Sequence, residues 1–402
     1  MVQLREARDA DVWTVSTDFN NVSNFGQGFA FDHTIFAFCR IESVRGGRMV
    51  SGRLLPGLTP DSPQVRAALA GWPGSVGGRE MEDGWELLLF EPQHRRERWW
   101  LHGLLFVVTL LSTVVAGSLL AGNPPIYFSM VPLFEGWWLP LPVALEARAL
   151  ATGLPFGLTL VTVLALHEGG HYFAARRHRI SVTPPFFIPF PPYVSIIGTL
   201  GAFIRLRSPV MSRAALLDVG VAGPFMSFIA SLPILWWGFT HSQLVPTSHA
   251  ASSLLQVRFA GEGFWLGESL ASAALARLLL DPLPGHIVVL HPVAFAGWLG
   301  LFVTALNLLP ISQLDGGHIL YAMLGKHQRP FALVFFLALI PLGFLWAGWW
   351  IWALLVYVVG RGRVAHPSLF AAERGLDGRR LIIGLLAALT FILCFIPVPF
   401  RL

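Results

Sequence analysis

His167-Glu168-Gly169-Gly170-His171 lies inside an apolar segment of membrane length, where two imidazoles and a carboxylate are costly. On a helix His167 and His171 stand one turn apart on the same face, so one zinc ion can take both, with Glu168 beside them as a general base. The pentapeptide alone is a weak motif, and depth is what strengthens it. Each ionisable side chain within a spanning segment costs about 2.5–3.5 kcal/mol on insertion scales, so three together call for a compensating partner, and a metal supplies it. The alternative is a pair of histidines satisfied by backbone carbonyls at a helix end.

The rest of the chain has the composition of a polytopic membrane protein. Its 402 residues are 54 % hydrophobic and only 13 % charged, with 15 tryptophans, too apolar for an ordinary soluble domain. Only Cys39 and Cys394 are present, which supports neither a disulfide framework nor a cysteine zinc cluster, so metal ligands must be His and carboxylate. The net charge of +5 needs no nucleic-acid partner, because much of the arginine flanks spans beside anionic lipid. No phosphate loop and no flavin or nicotinamide fingerprint is visible.

Spans of about 20 apolar residues are expected at roughly 100–121, 151–174, 214–239, 286–311 and 381–398, with a longer run at 330–360. Arg95, Arg96 and Arg98 precede the first, Arg176, Arg177 and Arg179 follow the second, Arg205, Arg207 and Arg213 precede the third, and Lys326 and Arg329 follow the fourth. These flanks mark one face, read as cytoplasmic, and the metal helix leaves the membrane there just after His171. A single helix over 330–360 would be about 45 Å long, so the arginines at 361–380 favour two short spans broken near 341–348. The fold expected is an α-helical polytopic membrane protein with about seven transmembrane helices.

Residues 1–98 carry strand-like runs at 33–41, 48–55 and 85–90 and are expected to form a small N-terminal α+β cytoplasmic domain ahead of a membrane domain at 99–402. Pro184-Pro185-Phe186-Phe187-Ile188-Pro189-Phe190-Pro191-Pro192 leads into 193–207, too apolar for a solvent loop and too rich in proline for a helix. It reads as a re-entrant or interfacial β-hairpin, tolerable at that depth only when buried against protein or lining a wet cavity. Residues 241–285 read as a loop on the opposite face, with an amphipathic interfacial helix at 265–280.

Catalytic zinc takes three protein ligands and keeps a position for water, so a third ligand must come from another helix. Asp315 is the candidate. It lies in Asn307-Leu308-Leu309-Pro310-Ile311-Ser312-Gln313-Leu314-Asp315-Gly316-Gly317-His318, at the arginine-flanked end of the fourth span and at the membrane level expected for His171. His-Glu-x-x-His on one span with Asn-x-x-Pro-x-x-x-x-Asp-Gly on a later one resembles the site-2 protease family of intramembrane zinc metalloproteases. The likeness covers about 150–325. Residues 184–208, Val221-Ala222-Gly223-Pro224 and 291–298 are similar to the branch without a PDZ domain, shared by plant chloroplast and bacterial members.

That resemblance implies that His167, His171 and Asp315 ligate Zn2+, that Glu168 activates the attacking water, and that the metalloprotease core occupies about 150–325. Asn307, about two turns before Asp315, would face the same cavity and bond the substrate backbone or the developing oxyanion, or else pack as a helix amide. Ser227, four residues after Gly223, stands where the family often has Asn, and close helix packing is the expected job. His318 is set aside as a ligand, because a fourth protein group would close the water position. The hairpin at 193–207 would add a strand to an unwound substrate or plug the mouth of the cavity.

The implied function is hydrolysis of peptide bonds within or near transmembrane segments of single-span membrane-protein substrates. Two other classes stay in view: a membrane scaffold that binds transmembrane segments without cutting, and a divalent-metal transporter. A transporter needs ligands at several depths, whereas the polar groups here gather at one level. The first residues lack the character of a signal or transit peptide, so a bacterial or archaeal cell membrane is expected. Oligomeric state is not legible in the sequence.

Overall fold

The computed structural model describes residues 13–15, 35–44, 47–93, 96–134, 137–246, 253–280, 285–369 and 375–401. Residues 33 and 34 of the first expected strand, and Arg95 and Arg374 of the basic flanks, lie outside the described residues.

An antiparallel five-stranded sheet comes first. It comprises β1 (Trp13–Val15), β2 (Phe36–Val44), β3 (Gly47–Leu54), β4 (Ser75–Met81) and β5 (Gly84–Pro92) in the order β1-β2-β3-β5-β4, with α1 (Pro63–Leu69) between β3 and β4. Alternation along β5 sorts its side chains onto two faces. Leu87 and Leu89 pack with Val50, Leu54, Val65 and Trp72, whereas Leu88 and Phe90 turn the other way, with Met49, onto Met211 of the membrane part. The Arg179 guanidinium, just past the metal helix, donates to the Trp72 carbonyl at 3.2 Å. The sheet therefore sits on the arginine-flanked ends of the spans.

The membrane part opens with α2 (Trp99–Leu120), an antiparallel ribbon of β6 (Ile126–Phe134) and β7 (Trp137–Leu145), and the metal helix α3 (Ala147–Arg177). Next come a second ribbon, β8 (Phe186–Pro189) with β9 (Thr199–Phe203), and α4 (Arg213–Thr240). On the opposite face β10 (Gln243–Pro246), β11 (Leu255–Phe259), β12 (Glu262–Leu266), α5 (Leu270–Leu280) and β13 (His286–Val289) precede α6 (Pro292–Leu308). Then follow α7 (Asp315–Leu324), a short 3-10 turn, α8 (Gln328–Leu345), α9 (Gly348–Val359), α10 (Gly378–Cys394) and β14 (Phe400–Arg401).

Among the described residues, four helical stretches are long and apolar enough to cross a membrane by length and composition: Trp99–Leu120, Ala147–Arg177, Arg213–Thr240 and Asp315–Leu345. Shorter apolar helices accompany them at Leu270–Leu280, Pro292–Leu308 and Gly348–Val359. Leu333, Val334, Leu337, Ile340 and Phe344 of α8 point outward, an apolar face of the kind lipid covers. By contrast α6 is the central post: Ala294, Phe295, Ala296, Trp298 and Leu301 have no exposed surface.

Several expectations change. The span expected at 286–311 is shorter, because its first residues become β13 and α6 keeps 17 residues, about 26 Å. The break expected near 341–348 is kept: it falls at Trp346 and Ala347, with Pro341 inside α8. Residues 262–266 are a strand, so the helix expected at 265–280 begins only at Leu270. With β10, β13, β11 and β14 that strand builds a five-stranded sheet on the face opposite the arginines, in the order β10-β13-β11-β12-β14.

Non-helical backbone at membrane depth must be covered by protein, and the β8–β9 ribbon meets this condition against α2. Phe187 packs edge-on against Phe106 at 5.2 Å, and the Ser112 hydroxyl donates to the Phe190 carbonyl. At its base Arg207 pairs with Glu97 at 2.6 Å. At its apex the Tyr193 hydroxyl donates to the Ile126 carbonyl at 2.8 Å and accepts the Ile126 N–H at 3.2 Å, reaching the foot of the β6–β7 ribbon. The first strand of the expected hairpin thus lies within the proline run itself.

Candidate metal centre

Two helices bring three ligand atoms to one point, His167 and His171 from α3 and Asp315 from α7. The Nε2 atoms of His167 and His171 are 3.1 Å apart, and Asp315 Oδ2 lies 3.4 and 3.3 Å from them. Around a tetrahedral ion with bonds of about 2.0–2.1 Å, ligand atoms stand about 3.3–3.4 Å from one another, so the triangle fits zinc-sized coordination. Among the described residues this is the one cluster of three or more His, Cys, Asp or Glu that could hold a metal. The three ligand residues line a cleft of about 470 Å³ together with Glu168, Asn307, His318 and residues 202–206.

The helix contacts that set this geometry follow from small residues. A Cβ on Gly170 would stand 2.4 Å from the Ala222 carbonyl oxygen, and one on Gly223 would stand 2.1 Å from His171 Nε2. Glycine at both positions is what lets α3 and α4 approach with an imidazole between them. Pro224 cannot donate to Gly220 and its ring crowds that carbonyl, opening the α4 ladder at this level. The neighbouring Val219 carbonyl accepts the His171 Nδ1–H at 2.8 Å.

His167 is held by a chain of hydroxyls. With Nε2 turned to the centre, its Nδ1–H donates to Ser227 Oγ at 3.0 Å. Ser227 Oγ lies 2.7 Å from Thr304 Oγ1, which donates to the Gly300 carbonyl at 2.7 Å. This pattern fixes tautomer and ring orientation as ligand-supporting groups do at metal sites. Ser227 therefore does more than pack, which corrects the sequence expectation. Thr304 went unnoticed; its signal was its place one turn before Asn307 on the same helix face.

The structure brings all five sequence-predicted residues together. His167, Glu168 and His171 are 3, 6 and 7 % exposed. The Glu168 side chain faces the cleft together with Ile204, just past β9. The Asn307 amide lies 3.2 Å from His167 Nε2. Asp315 does not sit at the end of the Asn307 helix: α6 stops at Leu308, a turn with Ser312 at φ 51° intervenes, and Asp315 opens α7. His318 lies on the cleft wall outside the ligand triangle.

A polytopic membrane chain with a His-His-carboxylate centre and an acid beside it defines the class of a membrane metallopeptidase. Residues 155–346 match Peptidase family M50, and this membrane core belongs to that family. Probable zinc metalloprotease EGY2, chloroplastic, of Arabidopsis thaliana is 30 % identical over 286 residues, covering 68 % of this chain and 48 % of that protein. Probable zinc metalloprotease EGY1, chloroplastic, of Oryza sativa subsp. japonica is 29 % identical over 225 residues, 56 and 37 % of the two chains. Probable zinc metallopeptidase EGY3, chloroplastic, of Arabidopsis thaliana is 28 % identical over 209 residues, 50 and 35 %. The chain thus spans about half, or less, of the length of these relatives. No solved structure matches.

These relatives overturn the expectation of a bacterial or archaeal cell membrane. They are plant proteins named chloroplastic. The expectation leaned on the character of the first residues, and where a sequence begins does not establish what preceded it.

Proposed function

We propose that this chain is an intramembrane zinc metalloprotease that hydrolyses peptide bonds within or near transmembrane segments of membrane-protein substrates. The observation that carries the reading is the 3.1–3.4 Å triangle of His167, His171 and Asp315 with Glu168 on the same cleft. When bound, zinc polarises the scissile carbonyl and makes its water a stronger acid. Glu168 takes the water's proton and passes it to the leaving amine. Asn307, whose amide lines the same cleft, would donate to the substrate backbone.

A helical peptide bond is shielded by its own hydrogen bonds, so the substrate must enter as an extended strand. The edge of β9 turned away from β8 runs along the cleft at 202–206, and strand addition there lays the peptide across Glu168. Clustering at one depth supports a protease over a transporter, which needs ligands along a path. We take the membrane part as seven passes (α2, α3, α4, α6, α8, α9 and α10) and residues 1–98 as a separate domain, supported by the β1–β5 sheet and its own core. Single-span proteins are the substrates that best fit a lateral strand-adding cleft.

The test is cleavage of a panel of single-span substrates in proteoliposomes, with the cut mapped by mass spectrometry. A cut within or near the span, abolished by chelator and restored by zinc, is expected. A panel left intact by zinc-loaded protein would count against the reading.

A further inference from the structure

His318 is a polar group of the cleft that the site so far leaves without a task. It lies one turn beyond Asp315 on α7, so the two share a helix face. Its ring lines the same cavity as His167, Glu168, Asn307 and Asp315. Its seat is Gly220, where a Cβ would stand 3.2 Å from His318 Cβ and 3.4 Å from the Asp315 carbonyl oxygen. Gly220 adjoins Val219, which holds His171.

From behind, the ring is clamped. His366 meets it edge-on at 4.8 Å, and Tyr321 lies 4.8 Å from His366. The segment carrying His366 is itself pinned to the Asp315 region. The Ser312 N–H donates to the Val364 carbonyl at 2.6 Å, the Gln328 amide to the His366 carbonyl at 3.2 Å, and the Leu369 N–H to the Tyr321 hydroxyl at 3.1 Å. Yet Nδ1 of His318 is buried and has no hydrogen-bond partner. A phenyl or isobutyl group would fill this place without an orphaned nitrogen, and orphaned buried polar groups call for an explanation in function.

We propose that His318 is a further catalytic residue, whose imidazole N–H donates to the scissile carbonyl oxygen as negative charge gathers there, and that His366 is a positioning residue that sets its ring plane. This rests on the protease reading above. Asn307, Leu314 and His318 line the same cleft as residues 202–206, so a peptide laid along 202–206 shares the cleft with their side chains. The donor is preorganised because its ring is fixed before substrate arrives, which is what makes such groups effective.

The experiment uses the full chain in detergent, as wild type, His318→Gln, His318→Phe, His366→Phe and His366→Ala. It reads zinc content, kcat and KM on a cleaved single-span substrate, and equilibrium affinity for a Leu-Ala phosphinate peptide and for its amide counterpart. For His318→Phe, unchanged zinc, unchanged KM, and kcat lower by roughly 10²–10³-fold are expected. Phosphinate affinity should fall in step while amide affinity stays. His318→Gln, which keeps a donor, should recover part of kcat. His366→Phe should stay near wild type, with His366→Ala reduced. Wild-type kcat in both His318 variants, loss of zinc with activity, or equal weakening of phosphinate and amide would overturn the assignment while leaving the protease reading intact. Wild type that holds no zinc would take both down.

Discussion

Replacing Gly223 by alanine would place a methyl carbon 2.1 Å from His171 Nε2, 2.5 Å from Cδ2 and 2.6 Å from Cε1. Ordinary non-bonded carbon contacts lie at about 3.5–4.0 Å, so the ring or α4 must move by more than about 1 Å. Metal ligands tolerate about 0.2 Å. The imidazole cannot retreat easily, because its Nδ1–H is tied to Val219 on the same helix that carries the new methyl. Overpacking of this kind costs about 1–3 kcal/mol in stability, but the larger effect should fall on the metal, with zinc affinity lower by at least about 100-fold. Gly169 supplies the matched control, since a Cβ there meets nothing within 4 Å and alanine is the better helix former by up to about 1 kcal/mol. Zinc content by elemental analysis, after dialysis against a graded zinc buffer, would compare the two. Gly169→Ala should load like wild type and Gly223→Ala should not. Stoichiometric zinc in Gly223→Ala at the wild-type midpoint would refute the reasoning.

Other outcomes follow from the same geometry. Ser227→Ala removes the acceptor of the His167 Nδ1–H and should weaken zinc by about 10–100-fold; a chelator competition titration reads it, and an unchanged midpoint would show that the hydroxyl chain is idle. Glu168→Gln should keep its zinc and lose cleavage by about 10²–10⁴-fold, measured as single-turnover rates; zinc loss in step with activity would make Glu168 a structural group instead. Tyr193→Phe deletes both hydrogen bonds to Ile126, about 1–2 kcal/mol. Amide exchange over 190–198 should then speed up by roughly 5- to 30-fold, and an unchanged rate would mean the apex is held elsewhere.

The grouping of His167, His171 and Asp315 that could hold a metal was legible because its constraints are local or topological. His167, Glu168 and His171 share one helix by spacing, and Asp315 reached them through matching depth, even though it proved to open a helix of its own. Ser227 was not legible: a serine four residues from a glycine looks like a packing pair, and its contact with His167 depends on the relative rotation of α3 and α4. His318 looked ordinary for the same reason, since the His366 ring behind it comes from a segment 48 residues later.

The ribbons were legible in part. Prolines at 184, 185, 189, 191 and 192 excluded a helix, and apolar character excluded a solvent loop, so a buried hairpin remained. The β6–β7 ribbon was missed because Pro132, Pro140 and Pro142 interrupt an apolar stretch too broken for a span and too irregular for clean alternation. The sheet opposite the arginines escaped because its strands are only two to five residues long and one, β14, comes from the far end of the chain. Pairing of such distant pieces is a tertiary outcome that no local pattern specifies.

The most direct test of the central claim measures zinc content and cleavage of a single-span substrate together, in liposomes, for wild type, Glu168→Ala and His171→Ala. The account predicts zinc with cleavage in wild type, zinc without cleavage in Glu168→Ala, and neither in His171→Ala. Zinc bound equally by His171→Ala, or cleavage surviving in Glu168→Ala, would contradict it.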